Sequence, residues 1–209
     1  MQMSNPLTKI FIGIQRKLKP NITIEVGAYD AHFSRIMAKG YNKPGTTWAF
    51  EGHPEIFKKF LPEMEGVHYR NNIVSDNVGT SFMREYEGGQ MQDNNSILEV
   101  VKDTDYTLYE VQSITLDRFF PNDENICLWI DCEGANREVL MGAQNVLTRT
   151  SSIFIEVDDV ALWKDQWLWQ ETFAFLEDAG FVCYARDFQY RDHWNAIFVK
   201  KELMELVNG

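Results

Sequence analysis

Cysteine is scarce in this sequence, and the little there is forms no pattern. Three occur, Cys127, Cys132 and Cys183. An odd count with no C-x-x-C excludes a paired disulfide framework and a cysteine-built zinc site. Reduced thiols in a cytoplasmic protein are expected. Cys127 and Cys132 share one predicted strand at a spacing that should turn them to opposite sides. Long apolar runs are lacking too. None approaches bilayer-spanning length, and the N-terminus has no charged-then-apolar layout, so neither a membrane span nor a secretory leader is expected. Positive charge is short: 20 Lys+Arg stand against 31 Asp+Glu, a formal net charge of -11. That balance argues against a nucleic-acid partner, which wants a basic face. The strip Arg16, Lys17 and Lys19 is too short to reverse it. Glycine is missing where a pyrophosphate binder needs it. The first strand-to-helix turn holds Gly27 alone rather than G-x-G-x-x-G, and no P-loop motif occurs anywhere.

What is present is a regular alternation. The 209 residues are 44% hydrophobic, enough for one domain with a full core. Residues 1–20 predict a helix, with Ile10, Ile14 and Leu18 on its apolar stripe and Pro20 after it. Strand signals at Ile22–Val26, Thr46–Phe50 and Val67–Arg70 alternate with helix signals at Phe33–Ala38 and from Pro54, where Ile56, Phe57, Phe60 and Leu61 supply a stripe. A β-rich insertion is expected over about 77–116, with strands at Gly79–Arg84 and Thr107–Leu116 and a polar loop at Gln90–Ser96. Alternation then resumes: strand Ile126–Ile130, helix Arg137–Leu147, strand Ser152–Val157, helix Gln166–Ala179. Phe181–Arg186 and Trp194–Val199 predict a closing hairpin. The fold class is therefore α/β, a mainly parallel central sheet with helices on both faces, a β insertion and a C-terminal β-hairpin.

The chemistry is concentrated at strand ends. Ile126–Ile130 stops at Asp131, Glu133 follows, and Gly134 opens an amphipathic segment. In open α/β sheets ligands bind at the carboxyl ends of strands, so both acids belong to a rim. Glu25-Val26-Gly27-Ala28-Tyr29-Asp30-Ala31 lies at another such turn, where Gly27 would let the backbone approach a ligand. Glu51-Gly52 ends the second strand, and an acid there can accept hydrogen bonds from the vicinal hydroxyls of a ribose. An acidic turn repels pyrophosphate and suits a positive amino end. S-adenosylmethionine carries an ammonium, a sulfonium and a ribose, and so fits.

Together these pieces resemble the FkbM-family methyltransferases, a branch of the class I S-adenosylmethionine-dependent fold. The resemblance covers roughly residues 22–200. It is carried by Glu25-Val26-Gly27-Ala28, by Phe50-Glu51-Gly52-His53-Pro54, by Asn71-Asn72-Ile73-Val74-Ser75-Asp76 with Gly79, and by Asn94-Asn95-Ser96-Ile97-Leu98. Thr115-Leu116-Asp117, Ile130-Asp131-Cys132-Glu133-Gly134-Ala135 and Ile155-Glu156-Val157 complete it. Three positions depart from the family pattern: Glu25 replaces an Asp, Ala31 a glycine, and Trp129 a Lys. The resemblance implies O-methylation, commonly of a sugar hydroxyl in a glycan or natural product.

The expected cofactor contacts are Glu25, Gly27, Ala28, Tyr29, Glu51, Gly52, Asn72 and Ser96. Asp131 is the first choice for positioning or deprotonating the acceptor, with Glu133 beside it. Glu156, Asp158 and Asp159 cluster at the next strand end and with Asp131 are compatible with a divalent cation, although a solvated acidic rim is the simpler account and no metal is assigned. His53 lies near the adenosine end and His193 in a surface turn; neither is expected to be catalytic. Trp163 and Trp167, at helical spacing, suit core packing better than sugar stacking. Tyr106, Tyr109 and the 90–96 loop are candidates for an acceptor lid. A small-molecule or glycan acceptor is expected, and the sequence sets no oligomeric state. Two rivals stand beside this reading. Ala31 and Trp129 permit a non-catalytic binding protein on the same fold, and a nicotinamide-dependent oxidoreductase is opposed by the missing glycines.

Overall fold

A computed structural model describes residues 5–40, 45–86, 95–102, 104–188 and 192–209. In chain order the elements are α1 (Pro6–Leu18), β1 (Ile22–Val26), α2 (His32–Gly40), β2 (Thr47–Glu51), α3 (Pro54–Phe60), β3 (His68–Asn71), β4 (Ile73–Val74), β5 (Gly79–Tyr86), β6 (Tyr106–Ile114), α4 (Leu116–Phe119), β7 (Ile126–Ile130), α5 (Asn136–Met141), α6 (Gln144–Thr148), β8 (Thr150–Asp158), α7 (Trp169–Asp178), β9 (Phe181–Arg186), β10 (His193–Lys200) and α8 (Met204–Asn208).

The main sheet has seven strands in the order β3-β2-β1-β7-β8-β10-β9. The five from β3 to β8 run parallel, and β10 is antiparallel to both its neighbours. β1 and β7 lie side by side although about a hundred residues separate them. From β1 the chain winds outward one way to β3, and from β7 the other way, so the crevice between their carboxyl ends is the topological switch point where α/β sheets bind ligands.

Strand alternation explains the two covered faces. In β7, Ile126, Leu128 and Ile130 point into a core shared with Val139, Val146 and Leu176 of α5, α6 and α7. Cys127 and Trp129 point the other way, into a cluster with Leu7, Phe11 and Ile14 of α1, Phe33 and Met37 of α2, and Val207 of α8. Cys132, beyond the strand end, packs on the first core. The two cysteines therefore face opposite sides, and all three are free thiols. None of the described helices is long and apolar enough to cross a membrane.

Several elements differ from the sequence expectation. Helix α1 starts at Pro6, where the Asn5 side chain accepts from the Leu7 amide at 2.9 Å. Its buried stripe is Leu7, Phe11, Ile14 and Leu18, while Ile10 is 43% exposed. No residue of α3 is fully buried, and Leu61 lies outside the helix and exposed. The segment 137–147 is two short helices. The Asp117 carboxylate accepts from the amides of Asn145 and Val146 at 3.0 and 2.8 Å and so starts α6 afresh. Helix α7 begins at Trp169, leaving Trp163 and Trp167 outside any helix. His193 lies on β10 opposite Asp158, not in a surface turn. The insertion is a three-stranded sheet, β4-β6-β5, which recruits Ile73 and Val74 from ahead of residue 77. Helix α8 was not foreseen. It is held to α1 by Val207 and by the Lys17 ammonium, which donates to the Val207 carbonyl at 2.8 Å. Residues 90–94 of the expected polar loop, Asn94 among them, lie outside the described residues.

Candidate active site

The switch point brings Gly27 and Asp131 together. A Cβ on Gly27 would sit 1.6 Å from the Asp131 carbonyl oxygen, and Gly27 has φ +73°. The close approach that demands glycine here is to the neighbouring strand end, not to a ligand. The turn is pinned further by the amides of Gly27 and Ala28, which both donate to the Phe50 carbonyl at 3.1 and 3.0 Å. Glu25 is buried, and one of its oxygens accepts from the Ser34 amide in the first turn of α2 at 2.8 Å. Burial pushes its carboxyl up to about 8.

Glu51 closes β2 as expected and is buried. Its two oxygens accept from separate amides, Tyr29 at 2.8 Å and His53 at 2.6 Å. Each carboxylate oxygen keeps further acceptor capacity, so the group is oriented by the backbone and still able to receive two hydroxyls. Burial raises it to about 7. Asn71 secures the same turn by donating to the carbonyls of Glu51 and Gly52 at 2.9 and 3.1 Å. Gly52 packs against the insertion: a Cβ there would meet the Met83 methyl at 2.2 Å, and that flexible side chain would have to move aside. Tyr29 is 42% exposed, with φ +48°, and its carbonyl accepts from the Tyr69 hydroxyl. The Asn72 amide donates to the Gln112 carbonyl at 3.2 Å, tying this edge to β6.

The third group of residues is acidic. Asp131, Glu133 and Glu156 bring their carboxylates within 4.8 Å of one another, a spacing a hard divalent cation could span. Burial holds all three carboxyls above their ordinary range, and for Glu133 and Glu156 neighbouring negative charge adds to it. Shared protons account for such a cluster without an ion. Of the other acids in this group, Asp158 accepts from Gln166 and Asp159 from the Trp194 indole at 3.0 Å. Glu133 has φ +49°, a strained conformation for a residue with a side chain. It is supported from below: the Ser96 hydroxyl donates to its carbonyl at 2.7 Å, and Trp163, 2% exposed, lies under Gly134. Asn136 donates to the Glu156 carbonyl at 2.7 Å and so locks the end of β8 to this loop.

One cavity of about 520 Å³ joins these groups, within the roughly 300–1,000 Å³ usual for small-molecule sites. Of the site residues expected from the sequence, Glu25, Gly27, Ala28, Tyr29, Glu51, Gly52, Asn72, Asp131 and Glu133 line it. Ser96 does not; its hydroxyl faces the Glu133 loop, while its neighbours Asn95 and Ile97 form the wall. Thr8, His32, Met83 and Trp129 also line the cavity and were not foreseen. Thr8 arrives on α1 and Met83 on the insertion, and no local pattern announces either. Burial lowers the His32 imidazole from its ordinary value. Trp163 is too deeply buried to stack on a sugar. Tyr109 is tied to Glu85 through its hydroxyl at 2.7 Å and Tyr106 is 40% exposed; neither lines the cavity. The two departures that had permitted a non-catalytic reading both have packing reasons. Ala31 is fully buried at φ +51°, and Trp129 stacks on Phe154 at 3.7 Å and on Phe33 at 4.7 Å.

A seven-stranded sheet of this order, with its cavity at the switch point and an oriented carboxyl group at the end of β2, is the class I S-adenosylmethionine-dependent methyltransferase fold. Solved structures with the same fold include magnesium protoporphyrin IX methyltransferase from Synechocystis PCC 6803 with bound S-adenosylmethionine (6% identity, TM-score 0.54, covering 93% of this chain and 76% of that one). An rRNA methylase from Streptococcus thermophilus gives 12% identity and TM-score 0.53, covering 96% and 99%. Fibrillarin from Aeropyrum pernix gives 9% identity and TM-score 0.50, covering 88% and 68%. No curated protein sequence matches this chain. The Methyltransferase FkbM domain matches residues 25–183. The chain belongs to the FkbM methyltransferase family, and S-adenosylmethionine is its methyl donor.

Proposed function

We propose that this enzyme methylates a hydroxyl oxygen of a sugar or glycan. The observation that carries the proposal is the carboxyl-rich, cation-free lining of the cavity. Glu25, Asp30, Glu51, Asp131 and Glu133 line it, and no Lys or Arg is among the described lining residues. Such walls hold no cation to pair with a phosphate-rich acceptor and offer carboxyl oxygens to a ligand rich in hydroxyl donors. That favours a polyhydroxyl small molecule or glycan over nucleic acid.

In this reading Glu51 receives the two ribose hydroxyls of the cofactor. The Gly27–Tyr29 turn and the walls at Gly52 and Asn72 surround the rest. Glu25 lies deeper, braced on α2. Ser96 acts indirectly by fixing the Glu133 loop. The bound cofactor supplies a methyl group already activated by its sulfonium, so the protein's task is alignment. Asp131 orients the acceptor hydroxyl and takes up the proton it must lose, and Glu133 accepts a second hydroxyl. No metal is needed for this scheme.

Methyl transfer from labelled S-adenosylmethionine to a panel of free sugars, nucleotide sugars, oligosaccharides and total RNA tests it. Label in a neutral saccharide is expected. Label in RNA with none in any saccharide would overturn the proposal.

A further inference from the structure

His53 lies outside the cavity and outside the acid cluster, yet it is only 2% exposed. It occupies the turn between β2 and α3, and each of its polar groups faces a different element. Its amide donates to Glu51 Oε1 at 2.6 Å. Its Nδ1 accepts from the amides of Glu55 and Ile56 at 3.2 and 3.4 Å, capping α3. That use of Nδ1 puts the ring proton on Nε2. Nε2 is buried without a well-formed hydrogen bond, and the acid it faces is Glu85 on β5, whose Oε2 is 3.3 Å away. The same Glu85 oxygen accepts the Tyr109 hydroxyl from β6 at 2.7 Å, and the Tyr109 ring packs on the imidazole at 4.5 Å. Two residues before Glu85, Met83 reaches over Gly52 into the cavity wall.

We propose that His53, Glu85 and Tyr109 form a latch that positions both the insertion and Glu51 for cofactor binding. These are positioning residues: none needs to touch the cofactor. Residue 53 joins three elements: its backbone N–H holds Glu51, and its imidazole spans the start of α3 and the insertion sheet. Without it the strand that carries Met83 loses this contact with the turn that carries Glu51. The inference rests on the reading that Glu51 holds the cofactor ribose.

Calorimetric binding of S-adenosylmethionine to the full chain separates the two. His53→Asn keeps a side-chain acceptor for α3 but is too short to approach Glu85. Glu85→Ala acts from a half-exposed position, and Tyr109→Phe removes one hydroxyl while keeping the ring on the imidazole. His53→Asn and Glu85→Ala are each expected to weaken binding by roughly tenfold, about 1.4 kcal/mol. The double variant should be no weaker than the worse single, as for residues acting through one unit. Tyr109→Phe should show a smaller loss in the same direction. KM for the cofactor should rise with kcat little changed, a split that a general loss of stability would not produce. If His53→Asn does not fold, Glu85→Ala and Tyr109→Phe carry the test. Unchanged binding in Glu85→Ala and Tyr109→Phe, with binding lost in Glu51→Ala, would overturn the latch alone. Unchanged binding in Glu51→Ala would overturn the reading beneath it.

Discussion

Gly27 lies directly under the carbonyl oxygen of Asp131, closer than any side chain would allow. The Gly27 turn and the Asp131 strand end are thus one packed unit. The same contact that shapes the turn fixes where the Asp131 backbone stands.

Gly27→Ala should therefore damage both ends at once. A left-handed alanine costs about 1–2 kcal/mol, and displacing the strand end about 1–3 kcal/mol more. Urea unfolding should show a loss of that order, and cofactor binding should fall with it. Stability within experimental error of the parent would mean that the β1–β7 contact is not as tight as described.

Cofactor affinity should rise with pH between about 6 and 8. Burial holds the Glu51 carboxyl near 7, and only the carboxylate accepts two hydroxyls. Binding those donors favours the charged form, so binding releases a proton and tightens as pH climbs through that value. In Glu51→Gln the profile should flatten and affinity drop by about 10- to 100-fold. A wild-type profile that is level across this range argues against a ribose contact at Glu51.

Asp131→Asn should lower kcat by about 10²–10⁴-fold, the usual worth of a positioned base, with cofactor binding changed only a few-fold. Turnover equal to the parent removes Asp131 from the reaction. A chelator control belongs in the same assay. Activity that survives excess EDTA supports protonated carboxyls in the acid cluster, and activity lost to EDTA and restored by magnesium shows a cation there.

The free protein should lose stability as pH rises from about 5 to 8. Glu25 titrates near 8 and Glu51 near 7 against an ordinary 4.5, and the acid cluster is shifted the same way. The folded chain therefore holds more protons than the unfolded chain in this window. The stabilisation is complete below the unfolded values and disappears as pH passes the folded ones, at up to about 1.4 kcal/mol per unit for each group. Melting temperatures at pH 5.5 and 8.5 check the sign, and Glu133→Gln with Glu156→Gln should shrink the difference. A higher melting temperature at pH 8.5 would contradict the burial of these acids.

Most of the main sheet was legible because its signals are local. Ile126–Ile130 followed by an acid, the Gly27 turn and Glu51 before Pro54 each declare an element end within a few residues. The helix boundaries were less legible. Asp117 restarts a helix almost thirty residues downstream, and nothing near Asn145 records that. Ile10 looks like core in a helical count, but the face of α1 that meets Phe33 and Trp129 runs through Leu7, Phe11 and Ile14 instead. Ser96 was assigned to the cavity from its loop, whereas its hydroxyl turns to the Glu133 carbonyl, a choice made only when two distant loops meet.

The sequence by itself determined the fold class, the family and the acids at or next to the ends of β1, β2 and β7, because strand periodicity and turn chemistry are properties of short stretches. Tertiary structure alone decided which of those groups act together. Glu156 was already grouped with Asp131 by sequence, but Glu133 joins them, and Asp158 and Asp159 turn instead to Gln166 and Trp194, only through packing. Thr8 and Met83 reach the cavity because α1 and the insertion sheet pack over its two sides. His53 meets Glu85 because the insertion docks on the turn after β2. These are contacts between segments far apart in the chain, and strand order and packing, rather than local preference, set the distances that the chemistry needs.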